Sequence, residues 1–235
     1  MKRVNNIYFL GIGGIGMSAL ARYFMHEGYR VAGYDRTATP LTRQLEAEGA
    51  AIHYDDSVEL IPETMRHRDD TLVILTPAIP HDHSEWAWFR EQGFTIEKRS
   101  QMLGYLSEGK LVMAVAGTHG KTTTSTLAAW LNSAVQHEGS AFLGGISTNF
   151  GSNLVLGEGR RLVVEADEYD RSFLRLHPDV AVITAADADH LDIYGTAEAV
   201  KEAFEEFASQ IKEGGALILK QGVELKFDTA TRSLY

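Results

Sequence analysis

Short apolar runs alternate with amphipathic stretches along most of the chain. "NIYFLG", "YRVAGYD", "AAIHY", "TLVILT" and "FTIEK" have strand length and carry β-branched or aromatic residues. Between them lie "GMSALARYFMHEG", "TPLTRQLEAEG" and "HSEWAWFREQG", which are patterned as helices and end in Gly28, Gly49 and Gly93. "SQMLGYLSEG" reads as a helix bridging to a second series. That series runs through the strand "KLVMAVAG", a helix from Lys121, the strands "RLVVEAD" and "DVAVITAA", the helix "TAEAVKEAFEEFASQI" and the strand "GALILK". Such alternation predicts an α/β fold with parallel sheets and helices on their faces. The closing stretch, "VELKFDTATRSLY", alternates like a strand after a turn and reads either as an edge hairpin or as a domain cut short.

Two of the strand-to-helix junctions are glycine turns. Gly11, Gly13 and Gly16 fit G-x-G-x-x-G, and Asp35 closes the next strand 19 residues after Gly16. Glycines let backbone approach a diphosphate, a helix start aims N–H groups at it, and an acid can accept ribose hydroxyls. The pattern does not separate NAD from another nucleotide diphosphate. The alternative is a tight turn packed against the sheet. The second turn, "GTHGKTTT", gives Gly120, Lys121 and Thr122 as the end of a phosphate-binding loop for ATP or GTP. Lys121 is expected to reach β/γ oxygens and Thr122 to bind Mg²⁺. The full pattern asks for glycine at Val115; Gly117 appears instead, so the loop is a shortened variant. His119 is either a catalytic neighbour or a loop residue, and Thr123 and Thr124 fill the first helical turn.

Carboxylates follow two later strands. "EADEYD" holds Glu165, Asp167, Glu168 and Asp170, and "DADHLD" holds Asp187, Asp189, His190 and Asp192. Each alone reads as capping or solvated loop; beside a phosphate loop, at least one ligand from each is expected to face Mg²⁺. "HDH" at 81–83 reads as solvent-facing rather than metal-binding, and Trp86, Trp88 and Phe89 as core and helix surface.

Composition narrows the classes. The chain of 235 residues has 22 basic and 32 acidic residues, a net charge of −10, which argues against a nucleic-acid binder. Cysteine is absent, so disulfides and thiolate metal sites are excluded. No stretch has the length and apolarity of a membrane span, and the expected setting is the cytoplasm.

In order, "GIGGIGMSALA", "TPAIP", "KRSQML", "GTHGKTTT", "EADEYDRSF" and "DADHLDIYG" resemble the Mur ligases of peptidoglycan synthesis, over most of the chain. The resemblance implies a Rossmann-like UDP-sugar domain over 1–107 and a P-loop ATP domain over 108–235. It implies that the second domain is incomplete, that an amino-acid-binding domain is absent, and that the fragment ligates poorly or not at all. The implied activity is ATP-dependent joining of L-alanine to the lactyl carboxylate of UDP-N-acetylmuramate through an acyl phosphate, with ATP and Mg²⁺ as cofactors. Gly11, Gly13, Gly14, Gly16 and Ser18 would line the UDP diphosphate, with Asp35, Thr76 and Arg99 on the same substrate. Gly117, Thr118, His119, Gly120, Lys121, Thr122 and Thr123 would hold ATP. Lys121, His119 and His190 would be catalytic, and Thr122, Glu165 and His190 would hold metal. Asn149 and Asn153 would face the sugar or form turns. Thr184-Ala185 departs from the family's usual Thr-Asn, removing whatever that asparagine touches. Three other readings stay open: the family's recycling ligase, which adds a tripeptide; a nicotinamide-dependent oxidoreductase, which leaves Lys121, Thr122 and Glu165 without purpose; and a non-catalytic nucleotide-binding regulatory module.

Overall fold

Every apolar run named above forms a strand, trimmed by one or two residues, or by four in "DVAVITAA", where only Val180–Ile183 is strand. The computed structural model describes residues 4–134, 139–226 and 233–234, without the side chains of Asp170, Ser233 and Leu234. Two compact units are present, Met1–Met102 and Leu103–Tyr235.

The first unit contains β1 (Asn6–Leu10), α1 (Ile15–His26), β2 (Arg30–Tyr34), α2 (Pro40–Glu48), β3 (Ala51–His53), β4 (Thr71–Leu75), α3 (Ser84–Glu91) and β5 (Thr95–Lys98). Its sheet runs β3-β2-β1-β4-β5, with every pair parallel. The helices form where the apolar spacing demands it. α1 buries Met17, Leu20, Ala21 and Phe24, one stripe at helical period. α2 starts from a capping box between Thr39 and Thr42 with Pro40 in the first turn, and stops at left-handed Gly49, φ 115°. One side of the sheet packs Tyr8, Leu10, Val73, Phe89 and Phe94 into a core that Trp86 and Trp88 flank. Phe89 is fully buried, so its truncation to alanine is worth about 3–5 kcal/mol.

α4 (Arg99–Ser107) carries the division between the units. The second unit continues with β6 (Leu111–Ala116), α5 (Lys121–Ala134), β7 (Gly139–Ser147), β8 (Ser152–Val155), β9 (Arg161–Glu165) and β10 (Val180–Ile183). It ends with α6 (Leu191–Tyr194), α7 (Ala197–Ser209), β11 (Ala216–Leu219) and β12 (Ser233–Leu234). The sheet order is β12-β11-β10-β6-β9-β7-β8, in which β8 is the antiparallel edge. α7 is capped by Thr196 and buries Val200, Ala203, Phe204, Phe207 and Ala208. Phe173, from a 3-10 segment Tyr169–Arg175, stacks on Phe207 and meets Phe204 edge-on.

Two features differ from the sequence expectation. "AFLGGISTNFGSNLV" forms the hairpin β7–β8, although its glycines hide the alternation. At the C-terminal end β12 pairs parallel with β11, so it is not the second arm of a hairpin; 227–232 and 235 lie outside the described residues. Among the described residues no helix is long and apolar enough to cross a membrane.

Candidate functional site

In an open parallel sheet, ligands enter where the strand order reverses, beyond the C-terminal ends of the strands. In the first unit that point lies between β1 and β4, where Gly11 and Thr76 follow their strands. Gly11 has φ +87°, and a Cβ there would strike the Thr76 methyl. Gly13 donates its N–H to Asp35 Oδ2 at 2.8 Å, and Thr37 N–H donates to Oδ1 at 3.2 Å. Asp35 therefore ties the turn to the end of β2. Gly14 caps α1 with no side-chain cap bond, so the helix start presents backbone N–H groups. The Arg99 guanidinium lies directly against Gly16, in space a Cβ would occupy. A cation and a helix N-terminus thus meet at one turn. Ser18 is buried, and its hydroxyl donates to the Ile15 carbonyl at 2.9 Å, within α1.

In the second unit the reversal lies at β6, between β10 and β9. Gly117 has φ +129°, and a Cβ would collide with Thr184 Oγ1. Only glycine fits there, which accounts for its shifted place in the loop. Thr184 Oγ1 donates towards the carbonyls of His119 (2.5 Å) and Ala116 (3.1 Å). Thr118 N–H donates to the Ala185 carbonyl at 3.1 Å, and Asp187 N–H to Thr118 Oγ1 at 3.3 Å. The β10 end thus buttresses the loop from behind, and Ala185 is buried under it. His119, Gly120 and Thr123 are exposed at the opening.

The side chains of α5 and the two acidic loops converge in front. Lys121 Nζ donates to the Gly117 carbonyl at 2.8 Å and to Glu168 Oε1 at 2.9 Å, with Oε2 2.8 Å away. Thr122 Oγ1 donates to Glu165 Oε1 at 2.9 Å. Glu165 Oε2 accepts from Gly144 N–H at 2.7 Å and from Ser125 Oγ at 3.2 Å. Gly144 has no room for a Cβ, because the Glu165 carboxylate fills it. His190 Nε2 lies 3.6 Å from Glu168 Oε1 and 3.9 Å from Asp189 Oδ2. Its backbone is left-handed, φ 52°, a strained conformation of the kind found at functional sites. The ligand atoms of Glu168, Asp189 and His190 lie within 4.8 Å of one another.

Sequence reasoning placed Lys121, Thr122, Glu165 and His190 as candidates, and the fold brings all four to one mouth. It passed over Ser125 and Gly144, and did not single out Glu168 from its cluster. The three-residue steps Thr122–Ser125 and Glu165–Glu168 were the available signal. Asn153 is buried in β8, while Asn149 is exposed in the preceding turn. In "HDH", His81 packs on Trp86 and His83 is buried beside Tyr34, so the two imidazoles part company and His83 is core rather than solvent-facing.

Hard oxygen donors beside a loop lysine suit Mg²⁺. Thr122 with Glu165 is a donor set of that kind, and His190 adds an imidazole nitrogen to the carboxylates of Glu168 and Asp189.

Comparison with known proteins bears on the family and the fold. The Mur ligase family catalytic domain matches residues 6–111, and the Mur ligase middle domain matches residues 115–230. UDP-N-acetylmuramate–L-alanine ligases from Phocaeicola vulgatus and Porphyromonas gingivalis (strain W83) are 54% and 53% identical, over 96% and 94% of this chain. The chain spans 50% and 48% of those relatives' lengths. The solved UDP-N-acetylmuramate–alanine ligase of Thermotoga maritima superposes with TM-score 0.82 at 31% identity, covering 92% of this chain and 49% of that one. The UDP-N-acetylmuramate:L-alanyl-γ-D-glutamyl-meso-diaminopimelate ligase of Neisseria meningitides gives 0.85 at 25% identity, covering 94% and 72%. This chain belongs to the Mur ligase family.

Proposed function

We propose that the chain carries the two nucleotide sites of an ATP-dependent ligase that joins L-alanine to UDP-N-acetylmuramate. The observation that carries the reading is the convergence of Lys121, Thr122, Glu165, Glu168 and His190 at one strand-order reversal, with a separate glycine turn in the other unit. The names of relatives above 50% identity support L-alanine over a tripeptide as the added group. In this reading the first turn holds the UDP diphosphate. Gly11, Gly13, Gly14 and Gly16 offer backbone, Arg99 offers charge, and Thr76 and Asp35 border the site. Ser18 acts from inside α1 by fixing its first turn.

The second turn holds ATP, with Gly117 to Thr123 around the phosphates. Lys121 leaves the Gly117 carbonyl and Glu168 to neutralise the β/γ oxygens. Thr122 and Glu165 would hold one Mg²⁺ and His190 a second, which would neutralise phosphate charge. The lactyl carboxylate oxygen attacks the γ-phosphorus as its bond to ADP breaks. The alanine amine then attacks the acyl carbon, phosphate departs with the bond pair, and the amine proton is lost to base. A carboxylate is a poor acyl donor, so phosphorylation supplies the leaving group; the protein positions and neutralises. His119 and His190 flank this chemistry. Both nucleotides are cytoplasmic compounds, and the reading implies that setting.

Calorimetric titration with UDP-N-acetylmuramate, with NADH and UDP-glucose as controls, tests it. Selective binding of the muramate is expected. Binding of NADH without the muramate would overturn the ligase reading in favour of an oxidoreductase.

A further inference from the structure

Glu168 is a buried charge of the second unit, held from several sides. It is 1% exposed, and its carbonyl accepts a hydrogen bond from Tyr194 Oη at 2.6 Å, which anchors the residue. Its carboxylate faces Lys121 on one side and His190 on the other. Oε2 is buried without an aligned hydrogen-bond donor, although the Lys121 ammonium is 2.8 Å away. The ammonium therefore holds Oε2 by charge rather than by an aligned hydrogen bond, while Oε1 faces His190 Nε2 at 3.6 Å.

A buried carboxylate needs a positive partner, because an unpaired one costs several kcal/mol. In this structure the partner is Lys121. The proposed function takes that partner away, since Lys121 cannot neutralise nucleotide phosphates while both of its short contacts are to Gly117 and Glu168. Something must then replace the ammonium. The ligand atoms of Glu168, Asp189 and His190 lie close enough to share one cation, and Asp189 Oδ1 already pins the His190 N–H at 2.8 Å.

We infer that Glu168 is an exchange residue: it holds Lys121 in the nucleotide-free site and passes to a divalent cation, with Asp189 and His190, when phosphates take the lysine. This rests on the nucleotide reading of the second turn and goes beyond it. Glu168 is a positioning residue for Lys121 and couples two binding events. Because the coupling is reciprocal, nucleotide raises affinity for the cation, and the cation raises affinity for nucleotide by the same factor. The lysine itself is the brake on metal binding in the empty site.

That last point gives a test in which a mutation gains a property. Mn²⁺ binding to the nucleotide-free chain is followed by loss of the free-ion paramagnetic resonance signal. Lys121→Met removes the ammonium and is expected to tighten Mn²⁺ binding by about tenfold or more, within the usual range of such couplings. Adding Glu168→Gln to that variant is expected to abolish the gain. Lys121→Gln replaces the methionine variant should the latter fail to fold, as judged by circular dichroism. Equal Mn²⁺ affinity in folded wild type and Lys121 variants overturns the exchange, and so does a gain that survives Glu168→Gln. A metal-free ADP titration of the wild type separates the two ideas. If ADP does not bind while the Mn²⁺ gain appears, the nucleotide reading and the exchange triggered by it fail together, and only the block that Lys121 places on cation binding stands; if ADP binds and the gain is absent, the exchange fails alone.

Discussion

The two glycine turns occupy equivalent places in their units, yet they are built from different chemistry. Both follow a central strand at the point where strand order reverses, and both open a helix. In the first, the turn itself carries no charge: Asp35 ties it to β2, and the cation, Arg99, arrives from 83 residues beyond Gly16. In the second, the cation is the first residue of α5, and two carboxylates and an imidazole stand within reach of it. A fixed guanidinium and a helix start suit a phosphate that is held unchanged. A lysine with exchangeable partners, and hard donors beside it, suit a phosphate whose charge changes. In the proposed function the first turn grips its nucleotide and the second reacts with its own.

The largest separation of the two turns is expected from Lys121→Ala. Two charge-assisted bonds to phosphate, at roughly 2 kcal/mol each, are lost, so ADP affinity should fall about 1000-fold. UDP-N-acetylmuramate affinity of the same variant should be unchanged. Calorimetry of both ligands on one sample checks it, and a parallel loss of both would erase the distinction between the turns.

How much of this was readable beforehand follows the same division. The glycines, Lys121, Thr122 and the strand-helix alternation were legible because each obeys a local rule of spacing. The β7–β8 hairpin was not, since Gly144 and Gly145 replace side chains that would have shown alternation. Gly144 is there because Glu165 occupies the place of its Cβ, a reason that exists only in three dimensions. Glu168 stood in plain view within "EADEYD", but its burial and its hold on Lys121 depend on the turn of chain after β9. Ser18 and Asp35 were selected as substrate contacts; in this structure a helix carbonyl and the turn's own backbone engage them.

The units also differ in how they keep a buried acid, and pH exposes that next. Glu168 is paired with an ammonium; Glu85 in α3 instead accepts a hydrogen bond from Tyr8 Oη at 2.6 Å, with His53 Nε2 3.4 Å away. Burial pushes the Glu85 carboxyl up from 4.5 to about 7, against the opposing pull of its hydrogen bonds. Burial also pushes His53 and His83 down, against their acidic neighbours. An acid held above its unfolded value costs nothing while both states are protonated, and its cost grows as pH rises from 4.5 to about 7. The two histidines act in the opposite sense over part of that window. Glu85→Gln removes only the first effect, so its stability relative to wild type should rise across the window by on the order of 3 kcal/mol. Urea unfolding at pH 5 and pH 8, read on the first unit's tryptophans, measures the change in that difference. A constant difference would mean that Glu85 titrates normally.

A smaller effect is expected at Arg99, the cation that lies against Gly16 in the first turn. Arg99→Ala removes one guanidinium–phosphate contact, about 1.5–2 kcal/mol, so muramate affinity should fall some 10- to 30-fold. ADP affinity should hold. Arg99→Lys should recover part of the loss, because the charge returns without the planar fork. Weakening of ADP instead would mean that Arg99 serves the wrong turn.

The smallest expected effect sharpens the reactive side. Ser125 is fully buried; its hydroxyl lies 3.2 Å from both the Thr122 carbonyl and Glu165 Oε2. It braces the carboxylate proposed to meet Mg²⁺ without facing the phosphates itself. Ser125→Ala leaves Glu165 still held by Gly144 N–H at 2.7 Å and by Thr122 Oγ1 at 2.9 Å, so the carboxylate loosens but stays. One neutral-donor hydrogen bond of about 1 kcal/mol is removed, which predicts a roughly fivefold loss of Mg·ADP affinity. Metal-free ADP should bind as in wild type, because the loop backbone and Lys121 are untouched. The ratio of the two affinities is therefore the readout. A loss that is equal with and without Mg²⁺ would show that Ser125 supports α5 as a whole and that Glu165 is a structural acid of the second unit.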